Sequence, residues 1–143
     1  MGLLRRHEAG HRFQMRQKLF AIGDDFWIED EDGHHIYKVN GKAMRIRDKM
    51  EIERGDHTLA TIHKAMIGIR DRFDIDVKGG DDLKARGNFV DHEYEIKRDG
   101  DVIAKVSKKW FRVRDSYGIE VGPGEDEPLI LALAVAIDNM SRR

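Results

Sequence analysis

The chain lacks cysteine, has two prolines and carries no excess of either charge. The absence of cysteine excludes disulfides, thiolate catalysis and Cys-ligated metal sites. Lys and Arg number 26 and Asp and Glu 27, so the formal charge is −1. This near balance argues against a dedicated nucleic-acid binder, which needs a strong positive field. With no Pro- or Ser-rich linker, the 143 residues indicate one domain.

Long apolar runs are also missing. The N-terminus, "MGLLRRHEAGHRF", has two leucines before the charges begin, whereas a secretory signal needs an apolar stretch of roughly 7–15 residues. Arg6 stands where a myristoylation signal wants Ser or Thr. The run at 129–137 has nine apolar residues, fewer than the about 20 that span a membrane. We therefore expect a cytoplasmic protein without a transmembrane segment.

Short alternating segments between glycine-containing turns fill most of the chain. Met50 and Ile52 alternate with charged residues, as do Tyr94 and Ile96. Such alternation puts one set of side chains inward and the charged set outward. The turns are expected at "DEDG", "VNG", "ERGD", "KGGDD" and "KRDG". The pattern predicts a mainly β fold of about twelve antiparallel strands.

An internal repeat divides this pattern. Residues 59–77, "LATIHKAMIGIRDRFDIDV", align without gaps on residues 103–121, "IAKVSKKWFRVRDSYGIEV". A shorter echo is "RIRDKMEIE" at 45–53. Each copy contains an Arg-Asp pair, which we interpret as a structural turn with an ion pair, since one catalytic site rarely needs three copies.

The apolar run near the C-terminus is predicted to be a helix over residues 126–140. Asp126 is a candidate N-cap, Pro128 is tolerated near a helix start, and the alanines at 132, 134 and 136 favour helix. A helix that is apolar on all sides must be surrounded. In a small β protein a closed barrel surrounds it, so we expect a closed antiparallel barrel enclosing this helix.

Three segments carry a family resemblance: "MRQKLFAIGDDFWIEDEDG", "YKVNGKAMRIRD" and "IAKVSKKWFRVRDSYGIEVGPGEDEPLILALAVAIDNM". Together they resemble the LURP-one-related family in its short prokaryotic form, from about Gln14 to Met140. Residues 1–12 match nothing in it. We therefore expect an N-terminal extension at 1–12, flexible or ordered, and a single domain at 13–143.

The resemblance implies a fold similar to the tubby C-terminal domain and, through it, to the phospholipid scramblases. In that fold about twelve strands enclose a C-terminal hydrophobic helix. The family has no agreed activity, and its best-known relatives act through membrane lipids. The cationic side chains of tubby-type phosphoinositide binding do not map onto this sequence residue by residue, so no such site is carried over.

The richest basic cluster lies in and after the second repeat. It consists of Lys105, Lys108, Lys109, Arg112 and Arg114, with Trp110 as a candidate interfacial anchor. On one face these cations would meet the phosphates of an anionic membrane surface. The alternative is a solvated strand surface with Trp110 pointing into the barrel. Nearby acids such as Asp115 and Glu120 would weaken an anion site.

"HEAGH", residues 7–11, matches the H-E-x-x-H zinc motif. It would place His7 and His11 one helical turn apart with Glu8 as base. The segment contains Gly10 and is not part of an amphipathic core helix. A metal-dependent hydrolase is therefore the remote alternative.

"EDEDGHH", residues 29–35, is typical of a calcium loop only in part. Counted from Gly33, the first ligand position is Ile28 and the twelfth is Val39, and neither can coordinate calcium through its side chain. A hairpin turn explains the same residues.

The sequence contains neither a P-loop nor a G-x-S-x-G motif. The leading hypothesis is a non-catalytic cytoplasmic binding module without cofactor, with an anionic membrane surface as its partner. The alternative is a structural or regulatory protein-interaction domain with no lipid affinity. Salt sensitivity and the Lys108→Glu/Lys109→Glu change distinguish the two.

Overall fold

A computed structural model describes residues 11–16, 26–29, 34–40, 49–67, 70–109 and 116–141. These form ten strands and one helix. The strands are β1 (His11–Arg16), β2 (Phe26–Glu29), β3 (His35–Asn40), β4 (Lys49–Arg54), β5 (His57–Ile67), β6 (Arg70–Val77), β7 (Leu83–Asn88), β8 (Glu93–Arg98), β9 (Asp101–Ser107) and β10 (Ser116–Val121), and the helix is α1 (Glu127–Ser141).

The ten strands form one antiparallel sheet in the order β1-β10-β9-β8-β7-β6-β5-β4-β3-β2. From β2 to β10 each strand pairs with the next, and β1 returns to pair with β10. The helix contacts β2, β3, β4 and β5 near one end of this order and β10 near the other. The sheet must therefore curl around α1.

The expected closed twelve-stranded barrel is wrong for the described part of the chain. Closure requires hydrogen bonds between the first and last strands of the sheet, and the described β1 and β2 share no ladder. The described sheet also leaves one face of the helix incompletely covered, because Leu131, Val135 and Asp138 are only partly buried. Ten strands thus form an open, curled sheet around α1.

The predicted alternation is confirmed in β4, β6 and β8. Met50, Ile52, Phe73 and Ile96 are all at most 1% exposed, with charged neighbours on the opposite face. Several predicted turns are also confirmed, since β4 and β5 meet at Gly55 and β8 and β9 at Asp99 and Gly100. Asp99 and Gly100 both have positive φ, of 50° and 85°, which is the geometry that an Asp-Gly hairpin turn requires.

The internal repeat has a structural counterpart in two hairpins. Ala60 pairs with Val77 in the β5–β6 hairpin, and their repeat equivalents Ala104 and Val121 pair in β9–β10. Lys78 N donates to Leu59 O at 2.9 Å, and the equivalent Gly122 N donates to Ile103 O at 2.8 Å. The repeat therefore preserves strand register as well as sequence.

The Arg-Asp pair of the first copy does not form the turn. Ile67 pairs with Arg70 and Met66 with Asp71, so both residues of the pair belong to β6. In the second copy Arg114 and Asp115 lie outside the described residues. The ladder between β5 and β6 thus continues through the Arg-Asp pair instead of ending before it.

The helix begins one residue later than predicted and keeps the predicted cap. Asp126 Oδ1 accepts the backbone N–H of Leu129 at 3.1 Å, which satisfies one of the free donors of the first turn. Its second oxygen, Oδ2, accepts the hydroxyl of Tyr37 on β3 at 2.7 Å. Asp126 thus caps α1 and fixes its start against the sheet. Burial, followed by this hydrogen bond, raises the pKa of Tyr37 to about 12.

Candidate functional site

The first part of the predicted basic cluster lies on the outer face of the sheet. Lys105 is exposed on β9 between the buried Ala104 and Val106. Lys108 and Lys109 are exposed in the turn that follows β9. Trp110, Arg112 and Arg114 lie outside the described residues, so their part in the cluster remains a prediction.

The turn that carries the two lysines is held by side-chain hydrogen bonds. We call residues 107–109 the basic turn. Glu93 Oε1 accepts the hydroxyl of Ser107 at 2.9 Å and the backbone N–H of Lys108 at 3.1 Å. Ser107 Oγ in turn accepts the N–H of Lys109 at 3.1 Å. The backbone of the turn is thereby fixed while its lysine side chains reach into solvent.

The structure adds Arg86 to this surface. Arg86, Lys105 and Lys109 line one shallow depression of about 450 Å³ together with Glu93 and Glu95. We call it the β7–β9 depression. Arg86 is separated from the lysines by about twenty residues of sequence and joins them because β7 pairs with β8, and β8 with β9. Alternation in "LKARGN" places Arg86 outward, but no sequence signal shows which strand lies next to it.

The charges of the depression are only partly compensated. Glu95 lies 3.9 Å from both Lys97 Nζ and Lys105 Nζ, and such exposed contacts stabilise by about 0–1 kcal/mol at most. Within the described residues Arg86, Lys108 and Lys109 form no ion pair. Among the four described cations of this surface, these three are therefore more available to an external anion than Lys105.

A second depression beside it is electrically balanced. Lys84, Arg86 and Lys97 line it together with three acids, Asp81, Asp82 and Asp99. Arg86 is common to both depressions. The equal numbers of charges make this neighbouring surface a weaker anion site and a useful comparison.

A buried polar cluster anchors the strand from which Glu93 projects. His92 is 2% exposed, and its Nε2 lies 2.7 Å from Asp138 Oδ1 on α1. Its ring stacks on Tyr117 with centroids 4.2 Å apart. Burial raises the pKa of the adjacent Tyr94 well above its usual value, and nearby Tyr117 and Asp138 add to the effect. Sequence reasoning missed this cluster, because His92 and Asp138 are 46 positions apart.

The metal-binding hypotheses receive little from the described residues. His11 begins strand β1, where it pairs with Val121, and His7 and Glu8 lie outside the described part. The acidic segment at 29–35 joins the antiparallel strands β2 and β3, in keeping with a hairpin. No three His, Asp or Glu side chains among the described residues converge in a way that would hold a metal ion.

The described helix is not a membrane span. Within the described ranges, no helix is long and apolar enough to cross a bilayer.

A curled antiparallel sheet wrapped around a C-terminal apolar helix defines a class of β proteins with one central helix. The sequence profile of the LURP-one-related family matches residues 11–75 and again 48–138, so the chain belongs to that family. The resemblance inferred from the sequence is thus confirmed. The two matches overlap, in keeping with the internal repeat.

Two individual proteins are similar to this chain. Uncharacterized protein YxjI of Bacillus subtilis (strain 168) is 29% identical over 66 residues, which are 46% of this chain and 41% of that protein. The chain thus matches less than half the length of this relative. An X-ray structure of a protein from Arabidopsis thaliana has a TM-score of 0.53 and 17% identity, covering 94% of both chains. At that identity the likeness concerns the fold alone.

Proposed function

We propose that the protein is a non-catalytic cytoplasmic module that docks reversibly on an anionic membrane surface. The contact residues are Lys105, Lys108 and Lys109 with Arg86, and the cluster continues into Trp110, Arg112 and Arg114. The observation that carries the proposal is the grouping of exposed cations around a turn whose backbone is already ordered. Ordered groups lose little entropy when they bind.

The number of exposed cations sets the expected free energy of membrane binding. Each Lys or Arg near an anionic leaflet contributes about 1 kcal/mol. The three cations without ion pairs would therefore supply about 3 kcal/mol. That corresponds to weak and reversible binding on its own, and screening over about 8 Å at physiological salt would reduce it further. The cations expected at 112 and 114 would strengthen it.

Vesicle flotation tests this function. The protein is mixed with phosphatidylcholine vesicles or with vesicles containing phosphatidylserine, each at 20 mM and at 150 mM salt. We expect capture by the anionic vesicles that falls as salt rises, and none by the zwitterionic vesicles. Absence of capture by anionic vesicles at low salt, where the attraction is strongest, would contradict the proposal.

One observation favours the alternative, a protein-interaction domain without lipid affinity. Trp27 is 50% exposed on β2, which pairs only with β3 among the described strands. Its ring stacks on His35 with centroids 4.3 Å apart. Exposed aromatic residues on terminal strands are suited to strand addition by another chain. If vesicles fail to capture the protein, photo-crosslinking from position 27 becomes the appropriate test.

A further inference from the structure

Glu93 is an acid in a depression proposed to bind anions, although a carboxylate repels an anion. Two carboxylates line the β7–β9 depression, Glu93 and Glu95. By charge alone, both oppose an incoming anion. Their contacts differ, however. Glu95 lies near lysine side chains, at 3.9 Å, whereas Glu93 accepts hydrogen bonds from the basic turn.

One oxygen of Glu93 connects the whole turn to β8. Its Oε1 receives the Ser107 hydroxyl and the Lys108 amide directly, and the Lys109 amide reaches it through Ser107 Oγ. Hydrogen bonds to a charged acceptor are stronger than neutral ones. Without this carboxylate the Lys108 amide loses its acceptor, and the Ser107 hydroxyl that accepts the Lys109 amide loses the group that orients it.

Core contacts and strand pairing fix the backbone at Glu93. Glu93 starts β8 directly after His92, whose imidazole contacts Asp138 and Tyr117 in the core. Across the ladder Glu93 pairs with Asn88, and the neighbouring Gly87 pairs with Tyr94. A Cβ at Gly87 would lie 2.6 Å from Glu93 O, so the two strands approach closely here. The position of Glu93 is thus set by the core and not by the turn it holds.

We infer that Glu93 is a positioning residue for the basic turn: it contributes to anion binding by ordering Lys108 and Lys109, although its charge has the wrong sign. The inference rests on the proposed function. It predicts that removing the Glu93 side chain, and with it the hydrogen-bond acceptor, weakens binding, whereas simple electrostatics predicts that binding becomes stronger.

The test compares three variants in the full chain, using phosphatidylserine vesicles as the probe. Glu93→Ala is expected to bind about threefold to tenfold more weakly, because the turn must then be ordered on binding. Glu93→Gln keeps an acceptor oxygen and is expected to bind at least as well as the wild type. Glu95→Ala removes the same charge from the same depression without touching the turn, and it too should bind at least as well. Tighter binding by Glu93→Ala would overturn the inference.

Amide hydrogen exchange gives a readout that needs no vesicles. Glu93→Ala should speed exchange at Lys108 by about tenfold, as expected for loss of a hydrogen bond to a charged group, while Glu93→Gln and Glu95→Ala leave it near the wild-type rate. Unchanged protection in Glu93→Ala would overturn the inference. If the wild type binds no vesicles while the Lys108 amide behaves as predicted, the proposed function fails and the ordering of the turn stands.

Discussion

His92 Nε2 lies 2.7 Å from Asp138 Oδ1, and this contact joins the turn between β7 and β8 to the last turns of α1. His92 is 2% exposed and has a φ of 53°, a left-handed backbone conformation that most residues avoid. Since such backbone strain persists only where surrounding contacts hold it, the contact to Asp138 is expected to stabilise the fold.

Asp138→Ala tests that contact. The change leaves a buried imidazole nitrogen without its partner, and we expect the free energy of unfolding to fall by about 1.5–3 kcal/mol. Urea denaturation measures the effect. Asp82→Ala, at an exposed site, serves as the matched control and should change stability by less than about 0.5 kcal/mol. Equal stability of the two variants would show that the contact contributes little.

Leu133→Asp tests the enclosed position of the helix. Leu133 is fully buried in the middle of α1, so the variant would place an unpaired charge in the core. We expect the free energy of unfolding to fall by more than about 4 kcal/mol, so that the variant fails to fold. Val90→Asp, at a residue that is 72% exposed, should leave the melting temperature nearly unchanged. A soluble Leu133→Asp protein that melts cooperatively would contradict the packing of α1.

Because the pKa of Tyr37 is raised, we expect the protein to lose stability at alkaline pH. Its pKa in the folded protein is about 12, above the ordinary value of 10.0, chiefly because of burial and then because of Asp126. The folded state therefore favours the neutral phenol. This contribution is complete below pH 10 and is lost as pH rises from 10 towards 12. Denaturation at several pH values should show a shallower alkaline decline in Tyr37→Phe than in the wild type, and equal slopes would refute the prediction.

Gly87→Ala tests the close approach of β7 to β8. A methyl group there would meet Tyr94 Cα at 2.7 Å, and φ is 141°. The steric clash and the strained backbone both destabilise the variant, and we expect its free energy of unfolding to fall by about 1–3 kcal/mol. Gly80→Ala is the comparison, because its nearest neighbour would be Val77 Cγ1 at 3.4 Å, an ordinary contact. Thermal melting should give a lower melting temperature for Gly87→Ala than for Gly80→Ala. Equal melting temperatures would contradict the prediction.

Local patterns carried the sequence predictions that the structure confirms. Alternation around Met50 and Ile52, the Asp-Gly turn at 99–100 and the Asp126 cap each depend on a few neighbouring residues. The repeat was visible in the sequence, but its pairing was not predicted from it. The structure shows that the two copies share one strand register, as in the pairs Ala60–Val77 and Ala104–Val121.

Contacts between distant segments could not be predicted in the same way. Closure of the sheet depends on how its first and last strands meet, and no local pattern fixes that. The apolar helix was interpreted as requiring a complete enclosure, whereas partial burial of Leu131 and Val135 suffices. Arg86 joined the basic surface through strand order, and Glu93 through a side-chain bond to a turn 15 residues away.

Charge reversal at two pairs of lysines tests the location of the proposed membrane contact most directly. Lys108→Glu/Lys109→Glu and Lys78→Glu/Lys84→Glu change the net charge equally, at exposed residues of the basic turn and of the β6–β7 region respectively. At about 1 kcal/mol per cation, the first variant should bind phosphatidylserine vesicles at least about 30-fold more weakly than the wild type. The second should lose far less. Equal losses in the two variants would mean that binding follows net charge alone, and would contradict a docking surface at the basic turn.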